Sequence, residues 1–158
     1  MLEKLKKNKD IINIKEVDNL IELECDKNNI LSVLKKLKEN DDFIFDQLLD
    51  ITAVDNPSRE CRFDLVYIIQ SLKKNKKLIL KTSLKENDTI ETIISVHKAA
   101  DWYERECYDL FGIEFKNHPD LRRIMTDYNF EGHPLRKDFP LTGHTEVRYD
   151  DLEKKVIY

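Results

Sequence analysis

The chain has 158 residues, 41% of them hydrophobic and 37% charged, with a formal net charge of −4. That length and apolar content suit one ordinary domain core, and the acidic balance argues against a nucleic-acid binder. No stretch approaches the ~20 apolar residues of a membrane span.

The start, Met1-Leu2-Glu3-Lys4-Leu5-Lys6-Lys7, has no apolar run or small-residue cleavage site, and Glu3 and Asp10 argue against a transit peptide. A solvated, Lys-rich end is expected there. Ile21, Leu23 and Cys25 alternate with Glu22 and Glu24, which predicts a half-buried strand. After Asn28-Asn29, the spacing of Ile30, Leu31, Val33, Leu34 and Leu37 predicts one helix with an Asn N-cap, stopping near Asn40-Asp41-Asp42. Leu48 to Val54 reads as a strand ended by Asp55-Asn56-Pro57-Ser58. Phe63, Leu65, Tyr67 and Ile69 alternate with other residues, as do Leu78, Leu80, Thr82 and Leu84. With Lys73-Lys74-Asn75 between them, these runs predict an antiparallel hairpin. A second helix is expected from about Ser95 to Phe111, closed by Gly112. The fold class is therefore α+β: two layers, two helices packed on a mixed or antiparallel sheet, followed by an extended C-terminal arm. Cys25, Cys61 and Cys107 are few, odd in number and widely spaced, which fits ordinary thiols in a reducing compartment.

After Gly112 the texture changes. Residues 1–100 are charge-neutral, so the whole −4 lies beyond them, together with all three Gly, three of four Pro, three of four His and five of seven Arg. No sustained period of 2 or 3.6 runs between Ile113 and Tyr158. Yet Leu121, Ile124, Met125, Tyr128, Phe130, Leu135, Phe139, Leu141, Val147 and Tyr149 are too many large apolar residues for a disordered tail. We expect residues 1–112 to form the compact unit. Residues 113–158 should form an arm of the same domain, lying on its own surface or on a partner.

On a helical wheel, Ala99, Trp102, Tyr103, Leu110 and Cys107 share a stripe with Glu106 in its middle. Asp101, Arg105 and Asp109 fall opposite, as an exposed acid–base–acid ladder. Glu106 is thus the expected buried carboxylate, at least half covered and paired with Arg122, Arg123, Arg136 or Arg148, or with an Arg of another chain.

Catalytic patterns are weak. Glu104 and Glu106 lie two apart on a helix and would not flank one bond. His118, His133 and His144, with Asp120, Asp127 and Asp138, match no compact metal-ligand spacing and fit loop histidines bonded to backbone. Three Gly cannot build a phosphate loop, and no nucleophile elbow is recognisable. Residue chemistry favours an interaction or scaffold domain over an enzyme.

From Trp102 onward the chain resembles a known family. Trp102-Tyr103-Glu104-Arg105-Glu106-Cys107-Tyr108-Asp109-Leu110-Phe111-Gly112-Ile113 is similar to W-x-E-R-E-x-x-D-x-F-G-I. His118 to Ile124 is similar to H-P-D-L-R-R-I, Gly132 to Pro140 to G-H-P-L-R-K-D-F-P, and Glu146 to Asp150 to E-V-R-Y-D. These are blocks of the 30-kilodalton subunit family of respiratory complex I, proton-translocating NADH:quinone oxidoreductase (the C-subunit in bacteria, the ninth numbered subunit where mitochondrially encoded). Met125 and His144 depart from the usual Leu and aromatic.

The resemblance implies a cofactor-free structural subunit of the hydrophilic arm, with FMN, iron–sulfur clusters and quinone in partner subunits. It would clamp the 49-kilodalton quinone-site subunit and neighbouring iron–sulfur subunits. It would lie peripherally, on the matrix side of the mitochondrial inner membrane or the cytoplasmic side of a bacterial one. The alternative is the equivalent subunit of a related membrane-bound hydrogenase or other donor:quinone oxidoreductase. No residue is expected to be catalytic or to bind a cofactor or metal. Glu104, Arg105, Glu106, Asp109, Arg122, Arg123, Arg136, Lys137 and Asp138 are expected to fold the arm and hold the neighbour.

Overall fold

The computed structural model describes Leu5, residues 9–17 and residues 20–158. The Lys-rich start, apart from Leu5, lies outside them. Five strands form the main sheet: β1 (Ile11–Val17), β2 (Leu20–Cys25), β3 (Gln47–Asp55), β4 (Phe63–Ser71) and β5 (Lys76–Leu84). Their spatial order is β1-β2-β5-β4-β3. All neighbours are antiparallel except β2 and β5, so the sheet is mixed. The α+β reading holds, and so does the hairpin, whose register runs from Phe63↔Leu84 to Ser71↔Lys76. Strand β1 escapes a period-2 search because its apolar residues do not alternate: a register shift lies between Ile11 and Asn13, and Ile12 faces solvent.

One face of the sheet carries the core. Leu23, Leu80, Tyr67 and Ile51 lie side by side across four strands and are all buried. Helix α1 (Ile30–Glu39) buries Ile30, Val33, Leu34 and Leu37 and ends at Asn40, where the sequence pattern stops. Its N-cap residue is Asn29, but without a side-chain bond. The capping is done one turn earlier, where Asp26 accepts from the Asn28 N–H to start a short 3₁₀ turn, Lys27–Asn29. The three cysteines are free, and burial pushes the Cys25 thiol up to about 12.

Helix α2 (Ala100–Phe111) starts later than expected, after the turns at 94–99, and ends on Gly112 in the left-handed region at φ 76°. Its inward face also differs from the wheel. Ala100, Glu104, Cys107 and Phe111 point into the core, and the Cys107 thiol lies 3.2 Å from the Ile51 carbonyl of β3. The large rings misled the wheel. Trp102 is exposed beneath the Arg105 guanidinium, 5.0 Å from its centroid. Ala100 and Cys107 lie on the core side, where the helix packs on β3. The chain then returns to the core as β7 (Glu114–Lys116), paired with β6 (Thr89–Glu91), and Ile113 and Phe115 are buried. From 117 to 147 there is no helix or strand; a small hairpin follows, β8 (Arg148–Asp150) with β9 (Lys155–Ile157).

Candidate functional site

The C-terminal half of α2 and the chain folded over it form the most elaborate polar arrangement in the molecule. Asp109 is fully buried, on the side read as solvent-facing. Its Oδ2 accepts the N–H groups of Ile124, Met125 and Thr126 at 3.0, 2.7 and 2.8 Å. Its Oδ1 accepts the Thr126 hydroxyl at 2.6 Å and Arg123 Nη1 at 2.9 Å. Burial by itself would raise this carboxyl, but the donors from Thr126, Met125 and Ile124 outweigh it and hold it below the ordinary range.

The same segment caps the helix end. The last four carbonyls of an α-helix need outside donors. The Gly112 N–H donates to Tyr108 O at 2.9 Å and the Leu135 N–H to Leu110 O at 3.1 Å. His133 Nδ1 lies 2.8 Å from Asp109 O, which makes it the protonated nitrogen, and Arg136 Nε donates to Phe111 O at 2.6 Å. A guanidinium at this end also complements the helix dipole. Gly112 is required twice over: its φ is positive, and a Cβ would stand 2.5 Å from both Arg136 and His133. This explains why a G-I after the helix and an H-P-L-R twenty residues later occur together.

A second clasp lies at the edge of the sheet. Asp55 at the end of β3 receives Arg62 in two bonds, Nε–Oδ1 2.8 Å and Nη2–Oδ2 2.9 Å. The Lys137 N–H donates to Asp55 Oδ2 at 2.7 Å, and Arg62 reaches Asp138 at 2.8 Å. Glu86 joins Arg62 and Arg136 at 3.0 and 3.2 Å, and both guanidinium groups lie over the Phe63 ring. The Arg62 bonds hold the Asp55 carboxyl low.

Glu104 is the other buried carboxylate. It accepts the Thr92 hydroxyl at 2.5 Å and the Ile93 N–H at 2.8 Å. The nearest base is His118, whose buried ring has Nε2 3.9 Å away but donates it to Asp101 O at 3.1 Å. Burial raises the Glu104 carboxyl to about 7, against the smaller pull of its two donors.

Of the nine residues singled out, Asp109, Arg123, Arg136, Lys137 and Asp138 meet in the two clasps, Lys137 through its backbone. Arg105 is buried and its Nε donates to Arg122 O at 3.3 Å. The Arg122 side chain is exposed and, among the described residues, pairs with Asp120 alone. Glu106 is partly buried, but no described Arg contacts it; Arg123 goes to Asp109, and Arg136 to Glu86 and the Phe111 carbonyl, instead. The ladder is likewise replaced, since Arg105 and Asp109 are buried. Sequence reasoning missed Asp55, Arg62 and Glu86: Asp55 reads as a turn residue and Arg62 as an outward strand position, and nothing local links them to residue 138. His118 and His133 do bond backbone. Among the described residues, no group of three His, Cys, Asp or Glu could hold a metal ion, and no helix is long and apolar enough to cross a membrane.

Outside the clasps, the arm leaves many of its apolar side chains uncovered. Met125, Tyr128, Leu135, Leu141, Val147 and Tyr149 are exposed, with Tyr128 at 94%.

Residues 23–145 match the family described as respiratory-chain NADH dehydrogenase, 30 Kd subunit. The chain is 51% identical over 131 residues to the NADH-quinone oxidoreductase C-subunit of Cereibacter sphaeroides, covering 83% of this chain and 66% of that one. It is 53% identical over 131 residues to the corresponding C-subunit of a Caulobacter species, covering 83% and 61%. The chain thus spans slightly under two thirds of these relatives. A chain in the structure of the membrane-bound sulfane sulfur reductase, an archaeal respiratory membrane complex, superposes with a TM-score of 0.76 at 25% identity, covering 99% of this chain and 96% of that one.

Proposed function

The chain belongs to the respiratory-chain NADH dehydrogenase 30 Kd subunit family, and from that premise we propose that it is a structural subunit of the peripheral arm of a proton-translocating NADH:quinone oxidoreductase. In this reading it clamps the 49-kilodalton quinone-site subunit and adjoining iron–sulfur subunits, while FMN, clusters and quinone stay in those partners. It sits on the matrix or cytoplasmic side of the membrane and contributes no catalytic residue.

The observation that carries the reading is the arm itself. Arg123, Arg136 and the Lys137 N–H are spent on the chain's own core, at Asp109, Asp55 and the α2 carbonyls, while Met125, Tyr128, Leu135, Leu141, Val147 and Tyr149 are left exposed. A segment that is shaped internally and apolar externally suits a partner surface, where aromatic residues and Arg concentrate. Glu104, Arg105, Asp109, Arg123, Arg136, Lys137 and Asp138 shape the arm. Glu106 and Arg122, which lack a buried partner, are left to hold the neighbour.

The archaeal likeness supports a second reading, the equivalent subunit of a related hydrogenase or other donor:quinone oxidoreductase. Native isolation of the tagged chain separates the two. Flavin and NADH:quinone activity in the isolated complex are expected. In Arg136→Ala, assembled complex and activity should fall together; full assembly with normal activity would overturn the clamp.

A further inference from the structure

The far end of the arm contains a hollow that neither clasp uses. Segments 127–131 and 139–147 and Tyr158 enclose a cavity of about 530 Å³, within the size range of ligand-taking pockets. Its walls are aromatic. Phe130 and Phe139 stack with centroids 5.7 Å apart, and His144 stands edge-on to Phe139 at 5.3 Å. Its charged lining consists of two carboxylates, Asp127 and Glu131, with no Lys or Arg among the described lining residues. Asp127 is oriented by its own neighbours, accepting the Tyr128 N–H at 3.0 Å and the Tyr158 hydroxyl. Glu131 bonds to no described residue.

Elsewhere the same chain fills such places itself. Arg105 covers the Trp102 ring, and Arg62 and Arg136 cover Phe63 with carboxylates alongside. The hollow repeats the rings and the acids without the base. Ring faces attract a cation, and a guanidinium can both stack on a ring and fork onto a carboxylate. We propose that the hollow receives a basic side chain, an arginine in the first instance, from the subunit that covers the arm. This rests on the reading that the chain works inside a respiratory complex, and it names the chemistry of the contact.

The test uses the assembled complex. A photo-crosslinker placed by Tyr128→p-benzoylphenylalanine is expected to capture one segment of a neighbouring subunit that contains Arg or Lys. Asp127→Lys with Glu131→Lys should cut that yield roughly tenfold. Glu131→Lys alone, which breaks no bond within the chain, is the second variant should the pair disturb folding, and should cut the yield in the same direction. Adducts on this chain, on a second copy, or on a segment without a basic residue overturn the proposal, as does a yield that charge reversal leaves unchanged. Failure of the chain to co-purify with any respiratory complex overturns the functional reading instead. The hollow is then probed on the free full chain by NMR: N-acetyl-arginine amide should shift Gly143 and His144 where the citrulline analogue does not. Equal response to both, or to neither, overturns the proposal.

Discussion

Asp109→Asn isolates the first clasp with a change of one atom. The amide oxygen can keep the Ile124, Met125 and Thr126 N–H bonds, and the Thr126 hydroxyl can rotate to accept from the new NH₂ group. Arg123 cannot adapt, because its Nη1 now meets a donor at 2.9 Å. The loss is one charge-assisted bond, about 1.5–3 kcal/mol. The core packing of α2 is untouched, so the cost should fall on local opening of residues 118–136 rather than on global unfolding. At ~1.4 kcal/mol per factor of ten, opening should rise by a factor of about 10 to 150. Hydrogen exchange read by mass spectrometry measures this directly: amides at 122–126 and Leu135 should lose protection while those of β4 and β5 keep theirs. Unchanged exchange at 122–136, or loss spread evenly into β4 and β5, would refute the argument that Asp109 holds the arm independently of the core.

Arg62→Ala should strand Asp55, buried and charged, and destabilise the protein by about 3–5 kcal/mol, read as a fall in thermal midpoint; replacing both members by apolar residues should cost much less. Gly112→Ala should cost about 1–2 kcal/mol from backbone conformation, and more because its Cβ collides with Arg136 and His133; thermal melts and exchange at 133–136 check it. Glu104 gives a pH signature. Its folded pKa, about 7 through burial, lies above the ordinary 4.5. The folded state therefore holds the extra proton between these values, and stability present below pH 4.5 is lost as pH rises towards 7, by at most ~1.4 kcal/mol per unit. Glu104→Gln should flatten that slope in denaturant melts; an unchanged slope would place the proton elsewhere.

Local pattern alone determined much of this protein. Alternation at Ile21–Cys25, Phe63–Ile69 and Leu78–Leu84 found three core strands, and the α1 spacing found its buried face, because one side of a strand or helix must be apolar wherever it packs. The four sequence blocks identified the family before any geometry was known. The wheel of α2 failed for a physical reason. It assumes one apolar face against one core, whereas α2 is covered twice, by β3 on one side and by the arm on another. Polar Glu104, Arg105 and Asp109 can then be buried because partners from elsewhere along the chain satisfy them, N–H donors for the two carboxylates and the Arg122 carbonyl for Arg105. The split in composition at residue 100 falls at the start of α2, and the chain returns to the core once more as β7. Which acid meets which donor was decided by tertiary structure alone. The partners of Asp109 lie 14 to 17 residues away and the Lys137 N–H lies 82 from Asp55. At such separations no local period constrains the pairing; it forms only where the folded backbone brings donors to a carboxylate that water can no longer reach.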